Sequence, residues 1–129
     1  MGRIVCFGEV MLRLGPEGYY RFHQVDRFVL NYTGAEANAA VALSQFGMET
    51  EVVTKLPDHA IAKAAVAELK KFGAGTRFIQ FGGERMGVYF IEKGASQRAS
   101  KVIYDRKHTS ISAVRPGEFD WETIFEGAS

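Results

Sequence analysis

Between Tyr32 and Gly47 the chain carries a helix whose start and stop are both written into it. Thr33 followed by Glu36 has the spacing of a capping box, in which hydroxyl and carboxylate each satisfy a free backbone donor. Gly47 stands where a left-handed residue ends a helix. Between them Ala35, Ala37, Ala39, Ala40, Val41 and Ala42 are small and apolar. Such a run predicts a helix buried on most sides, with neighbouring backbones close to it. Asn38 is the polar interruption in the first turn. That turn also presents free N–H groups and the positive end of the helix dipole, which suit polar ligand oxygens. A well-capped core helix, with Asn38 finishing the cap, fits the same spacing.

The segments around this helix set the fold class. Ile4 to Gly8 is a short apolar run ending in glycine, the pattern of a strand inside an α/β sheet. Val10 to Leu14 continues extended, and Gly15 to Gly18 makes a turn. Arg27 to Tyr32 alternates, placing Phe28, Leu30 and Tyr32 on one face. Glu51 to Thr54 reads as another strand. Asp58 is placed to cap a second helix whose Ile61, Ala65, Leu69 and Phe72 share a face, and Gly73 ends it. Strand, helix, strand, helix predicts a parallel sheet with crossover helices. From Thr76 the pattern changes. Arg77 to Phe81 runs into Gly82 and Gly83, a tight-turn signal, and Met86 to Glu92 reads as the return strand. Lys101 to Tyr104 is a further strand after a polar loop, and Phe119 to Phe125 a short helix.

At 129 residues the chain is one domain or part of one. Its 47% hydrophobic and 24% charged residues are ordinary for a soluble globular protein. A net charge of +1 supplies no global field for nucleic acid or a membrane surface. The basic stretch of Arg98, Lys101, Arg106, Lys107 and Arg115 is therefore read as a solvated face. No run reaches membrane-spanning length, and the start lacks a basic segment followed by an apolar core. Cys6, the only cysteine, is expected to be a buried and inert thiol, which fits a reducing cytoplasm. His23, His59 and His108 lie in separate segments without metal-ligand spacing, so no metal site is expected. No P-loop pattern occurs.

Several of these pieces together resemble a known family. Gly34 to Ala40 reads Gly-x-x-x-Asn-x-Ala and opens a helix that ends in Phe46 and Gly47. Phe7 to Glu9, Lys55 to Asp58, Gly94 to Arg98 and Val102 to Arg106 follow in the expected order. The chain resembles the ribokinase-like (phosphofructokinase-B) carbohydrate kinases, and within them the branch acting on 2-keto-3-deoxygluconate. The resemblance implies an α/β fold, part of a ribokinase-like, Rossmann-type core carrying a small β-sheet lid. Lid strands are expected within about residues 9–32 and 76–104, where the one-sided strands fall. It implies a sugar site formed by Gly34, Ala35, Glu36, Ala37 and Asn38, covered by Tyr89, with Tyr104, Asp105 and Arg106 on the substrate's polar groups. Arginine's fork suits the carboxylate of a sugar acid. Tyr89 and Tyr104 also fit ordinary strand positions with wet hydroxyls.

The same resemblance implies ATP and Mg2+ as cofactors and a homo-oligomer formed through the lid. The family's second signature, with its catalytic aspartate, lies in a C-terminal half outside this sequence. The chain is thus expected to be an N-terminal, sugar-binding portion with no catalytic residue of its own. Thr33, Ala62 and Ala99 depart from residues common in the family. The alternatives are another kinase of this type, such as a fructokinase, or a dimerising remnant without catalysis.

Overall fold

Thr50–Leu56 (β4) is buried along almost its whole length because it is the middle strand of a three-stranded parallel sheet. Ile4–Phe7 (β1) pairs along one edge and Ile79–Phe81 (β5) along the other. A strand flanked on both sides and covered on both faces needs apolar or threonine side chains, as β4 has except at Glu51 and Lys55, which pair with Arg77 and Glu118. Side chains alternate across it. Cys6, Val52 and Leu56 face a core built with Ala35–Gln45 (α1) and Ala60–Lys71 (α2). Val53 and Val5 face the opposite layer, formed by Phe119 and Trp121–Phe125 (α3). The Arg3 guanidinium donates to the carbonyl oxygens of Ile124 and Glu126 and ties α3 to β1. The structure is a computed structural model describing residues 2–129.

A second sheet stands beside this one. Met11–Gly15 (β2) and Gly87–Glu92 (β6) run parallel at its centre. Val29–Thr33 (β3) and Lys101–Asp105 (β7) add antiparallel edges, giving the order β3-β2-β6-β7. Phe28, Val29 and Leu30 on one side, and Val102, Ile103 and Tyr104 on the other, remain exposed.

Five local expectations are corrected by the structure. Thr33 does not cap α1: it is the last residue of β3, and Gly34 is the N-cap without a side-chain bond. Asp58 does not cap α2 either. His59 does, its Nδ1 accepting from the Ala62 N–H at 3.1 Å, while Asp58 pairs with Lys63. The buried face of α2 is Ala62, Ala65 and Leu69, whereas Ile61 and Phe72 are exposed. Starting the helix one residue later rotates the inward stripe, and alanines let α2 approach the sheet closely. Of α1 only Ala37 and Ala40 are buried, so this helix is covered on one face rather than most.

The fifth concerns Gly82 and Gly83, which make no hairpin. The Gly82 N–H continues the ladder to the Leu56 carbonyl at 2.8 Å, and the chain then crosses to the second sheet. β4 offered β5 an unpaired edge where Ile79 could be buried, and that outweighed the local turn signal. Residues 79–81 therefore belong to the core sheet. Gly47 behaves as expected, with φ +84° and the two bonds of a Schellman motif: its N–H to Ser44 and that of Met48 to Leu43.

Candidate functional site

The two sheets meet where the chain passes between them. Gly8, Glu9 and Val10 link β1 to β2, and Gly34 alone links β3 to α1. These crossings touch: a Cβ at Gly34 would fall on the Glu9 carbonyl oxygen. Glycine at 34 is required by that approach, since its φ of 173° is ordinary extended backbone. The first turn of α1 therefore opens directly at the junction, with Ala35, Glu36 and Asn38 facing outward. Asn38 Nδ2 donates to Thr33 Oγ1 at 3.0 Å, so Thr33 fixes the amide instead of capping the helix. Glu36 lies against Gly8, where any side chain would collide with it.

The second sheet closes the other side. Tyr89 of β6 and Tyr104 of β7 are direct cross-strand partners, their ring centroids 5.6 Å apart. Arg106, just past β7, holds its guanidinium 5.6 Å from the Tyr104 ring. Its Nε lies 3.3 Å from Glu9 Oε1, and Glu9 is largely shielded while Arg106 is about half exposed. Gly34, Ala35, Glu36, Asn38, Tyr89, Tyr104 and Arg106 all border one cleft of about 440 Å³, with Gly8, Glu9, Met11 and Thr33 completing its wall. That is a size and polarity suited to a small polyhydroxylated molecule. The helix N-terminus, hydroxyls and amide supply uncharged polar contacts, and the arginine supplies one positive fork.

Two predicted site residues lie elsewhere. Ala37 is 2% exposed and sits beneath the first turn, inside the core. Asp105 falls on the opposite face of β7 from Tyr104, because successive strand residues alternate. There it takes Arg85 Nη1 at 2.8 Å, and this bond holds its carboxyl below the ordinary aspartate range. Glu9 and Met11 also border the cleft, and pattern reasoning missed them. The available signal for Glu9 was a carboxylate directly after an apolar strand that ends in glycine. Cys6 is buried, and burial, with Glu36 adding to it, pushes its thiol up and away from reactivity.

A larger open hollow of about 750 Å³ lies beside α3, lined by Trp121, Glu122, Thr123, Phe125 and Glu126. It faces outward from a helix of five residues and carries two carboxylates and no cation, so it is a poor place for an acid. Among the described residues no group of three or more His, Cys, Asp or Glu could hold a metal ion, and no helix is long and apolar enough to cross a membrane.

Comparison with known proteins agrees with this fold. The sequence model of the pfkB family carbohydrate kinases matches residues 1–127. A 2-dehydro-3-deoxygalactonokinase from Haloferax volcanii is 32% identical over 126 residues, 98% of this chain and 40% of that protein. The crystal structure of 2-dehydro-3-deoxygluconokinase from Thermotoga maritima superposes with a TM-score of 0.96 at 50% identity, over 99% of this chain and 39% of that one. A fructokinase from Xylella fastidiosa with bound ATP shares the fold, with a TM-score of 0.81 at 21% identity over 98% of this chain and 37% of that one. The chain thus spans about 40% of the length of the curated relative it matches.

Proposed function

The chain belongs to the pfkB family of carbohydrate kinases, and from that premise we propose that it is the sugar-binding portion of a kinase for a 2-keto-3-deoxy sugar acid such as 2-keto-3-deoxygluconate. The observation that carries this is Arg106, the one cation of a cleft that it shares with the Glu9 and Glu36 carboxylates, uncharged polar groups and the start of α1. Arg106 receives the acid group. Asn38, the Gly34–Ala35 turn, Tyr89 and Tyr104 position the hydroxyls, and the second sheet acts as the lid. ATP, the donor expected from the family, would phosphorylate the terminal hydroxyl. Residues 2–129 contain neither a carboxylate cluster fitted to Mg2+ nor a phosphate-cradling glycine loop. No step of the transfer is assigned to them; they bind and orient the sugar.

Calorimetric titration with 2-keto-3-deoxygluconate, with fructose as control, tests the assignment. The acid is expected to bind and fructose to bind at least tenfold more weakly, the difference made by one charge-assisted fork. Absence of acid binding would overturn it. The Glu9 carboxylate beside Arg106 brings the rim close to neutrality, and that observation favours a neutral ketose as the second candidate. Preferential binding of fructose would select a fructokinase.

The second sheet's exposed apolar residues, Val29, Leu30, Val102 and Ile103 among them, support self-association through the lid. Light scattering across micromolar concentrations is expected to give at least a dimer; a monomer throughout would reject the lid contact.

A further inference from the structure

We propose that Glu9 is a positioning residue that sets the direction of Arg106 and thereby the cleft's preference for an acid. The inference rests on the sugar-acid reading of the cleft and adds to it a residue that acts through Arg106. Glu9 is largely shielded and packed at its backbone. Its carbonyl oxygen abuts Gly34, and the next residue, Val10, is 1% exposed. Its Oε2 is buried without a hydrogen-bond partner among the described residues. Opposite Oε2 lies Gly87, where a Cβ would stand 2.9 Å from that oxygen and 3.3 Å from the Arg106 Cβ. Glycine at 87 therefore keeps open the space in which the two side chains meet. Arg106, by contrast, lies past the end of β7 and is about half exposed, on a flexible stem.

Pairing at Nε leaves the two terminal nitrogens of the fork available to a ligand in the cleft that Arg106 borders. A carboxylate meeting that end contacts the guanidinium directly, and attraction at contact exceeds repulsion from a carboxylate farther off. Without Glu9 only the contact with the Tyr104 ring restrains the guanidinium, which is then free to leave for solvent, and an incoming acid must order it again.

Two measurements on the 129-residue chain decide the matter. The first is the Nε–H signal of Arg106 in a nitrogen-15 NMR spectrum, assigned by its loss in Arg106→Ala. It is expected at a distinct position in the parent chain and at the free-arginine position in Glu9→Ala. The second is calorimetry with 2-keto-3-deoxygluconate. Glu9→Ala is expected to weaken binding about tenfold, the loss of one oriented charge-assisted contact. Glu9→Gln, which keeps an uncharged acceptor of the same shape, restores most of it. Gly87→Ala, which leaves both charges in place, weakens it in the same direction. In an Arg106→Ala background Glu9→Ala changes binding by less than about twofold, since pairs that act as one unit are not additive.

Tighter acid binding in Glu9→Gln would mean that its charge only opposes the ligand and would overturn the proposal. An equal loss in both backgrounds would do so too, as the mark of a purely structural carboxylate. If the parent chain binds no acid, the sugar-acid reading falls. The NMR signal then decides the positioning role alone: collapse in Glu9→Ala upholds it and an unchanged signal rejects it.

Discussion

Replacing Gly34 by valine is expected to destabilise the chain by roughly 3 kcal/mol and to abolish sugar binding in the same variant, because overpacking here meets backbone and not a yielding side chain. The added Cβ would fall on the carbonyl oxygen of Glu9, and behind it lies the Val10 backbone. Neither can give way locally. Val10 is 1% exposed, and Thr33, next to Gly34, is paired with Met11 across the β2–β3 ladder. The strain must pass into the two crossings that join the sheets. Those crossings also carry Glu9 and the first turn of α1, so the damage reaches both walls of the cleft. Gly47→Ala is the control. Gly47 has open space around it but a φ of +84°, so alanine there is expected to cost only about 1 kcal/mol and to leave sugar binding intact. Urea titration at unchanged slope, with calorimetry on the folded fraction, separates the two. Equal losses from both substitutions would mean that the Gly34 contact is no tighter than an ordinary turn.

The contrast between these glycines marks what could be read from the sequence. Gly47 and Gly73 were legible because a helix end is a local event: a run of helix formers stops and one residue turns left-handed. The order of strands and helices was legible for a similar reason, since hydrophobic period reports local geometry. The positions gathered at the cleft from α1, β6 and the end of β7 came from resemblance to a family, because the meeting of residues 34, 89 and 106 around one cleft is set by the chain's path and leaves no mark on spacing. Where pattern and path disagreed, path won. Gly82 and Gly83 look like a hairpin, yet β5 joins β4, since pairing there buries Ile79. Asp105 sits between two cleft residues in sequence and on the other face of its strand in space, where Arg85 takes it. Glu9 went unassigned because its partner lies ninety-seven residues away (106 less 9), and nothing in either neighbourhood names the other.

Leu56→Ala is expected to cost about 3 kcal/mol, a large share of the roughly 5–15 kcal/mol available to a domain, and Ile61→Ala less than about 0.5 kcal/mol. The helical pattern alone would rank Ile61 as core. It is 51% exposed, whereas Leu56 is 2% exposed at the end of the central strand. The size of the Leu56 effect follows from its neighbours. The cluster it belongs to is lined by Ala37, Ala40, Ala62 and Ala65, which bring α1 and α2 close to the sheet. Alanines have no side chain to swing into a vacated space, so the cavity left by leucine closes only if a helix backbone moves. Sites that collapse poorly sit high in the range for such truncations. At position 61 the opposite holds: alanine is the better helix former, and a half-exposed isoleucine buries little. Urea midpoints of the two variants at constant slope decide the ordering. A cost at Ile61 equal to that at Leu56 would mean that α2 presents its Ile61 face to the sheet in solution.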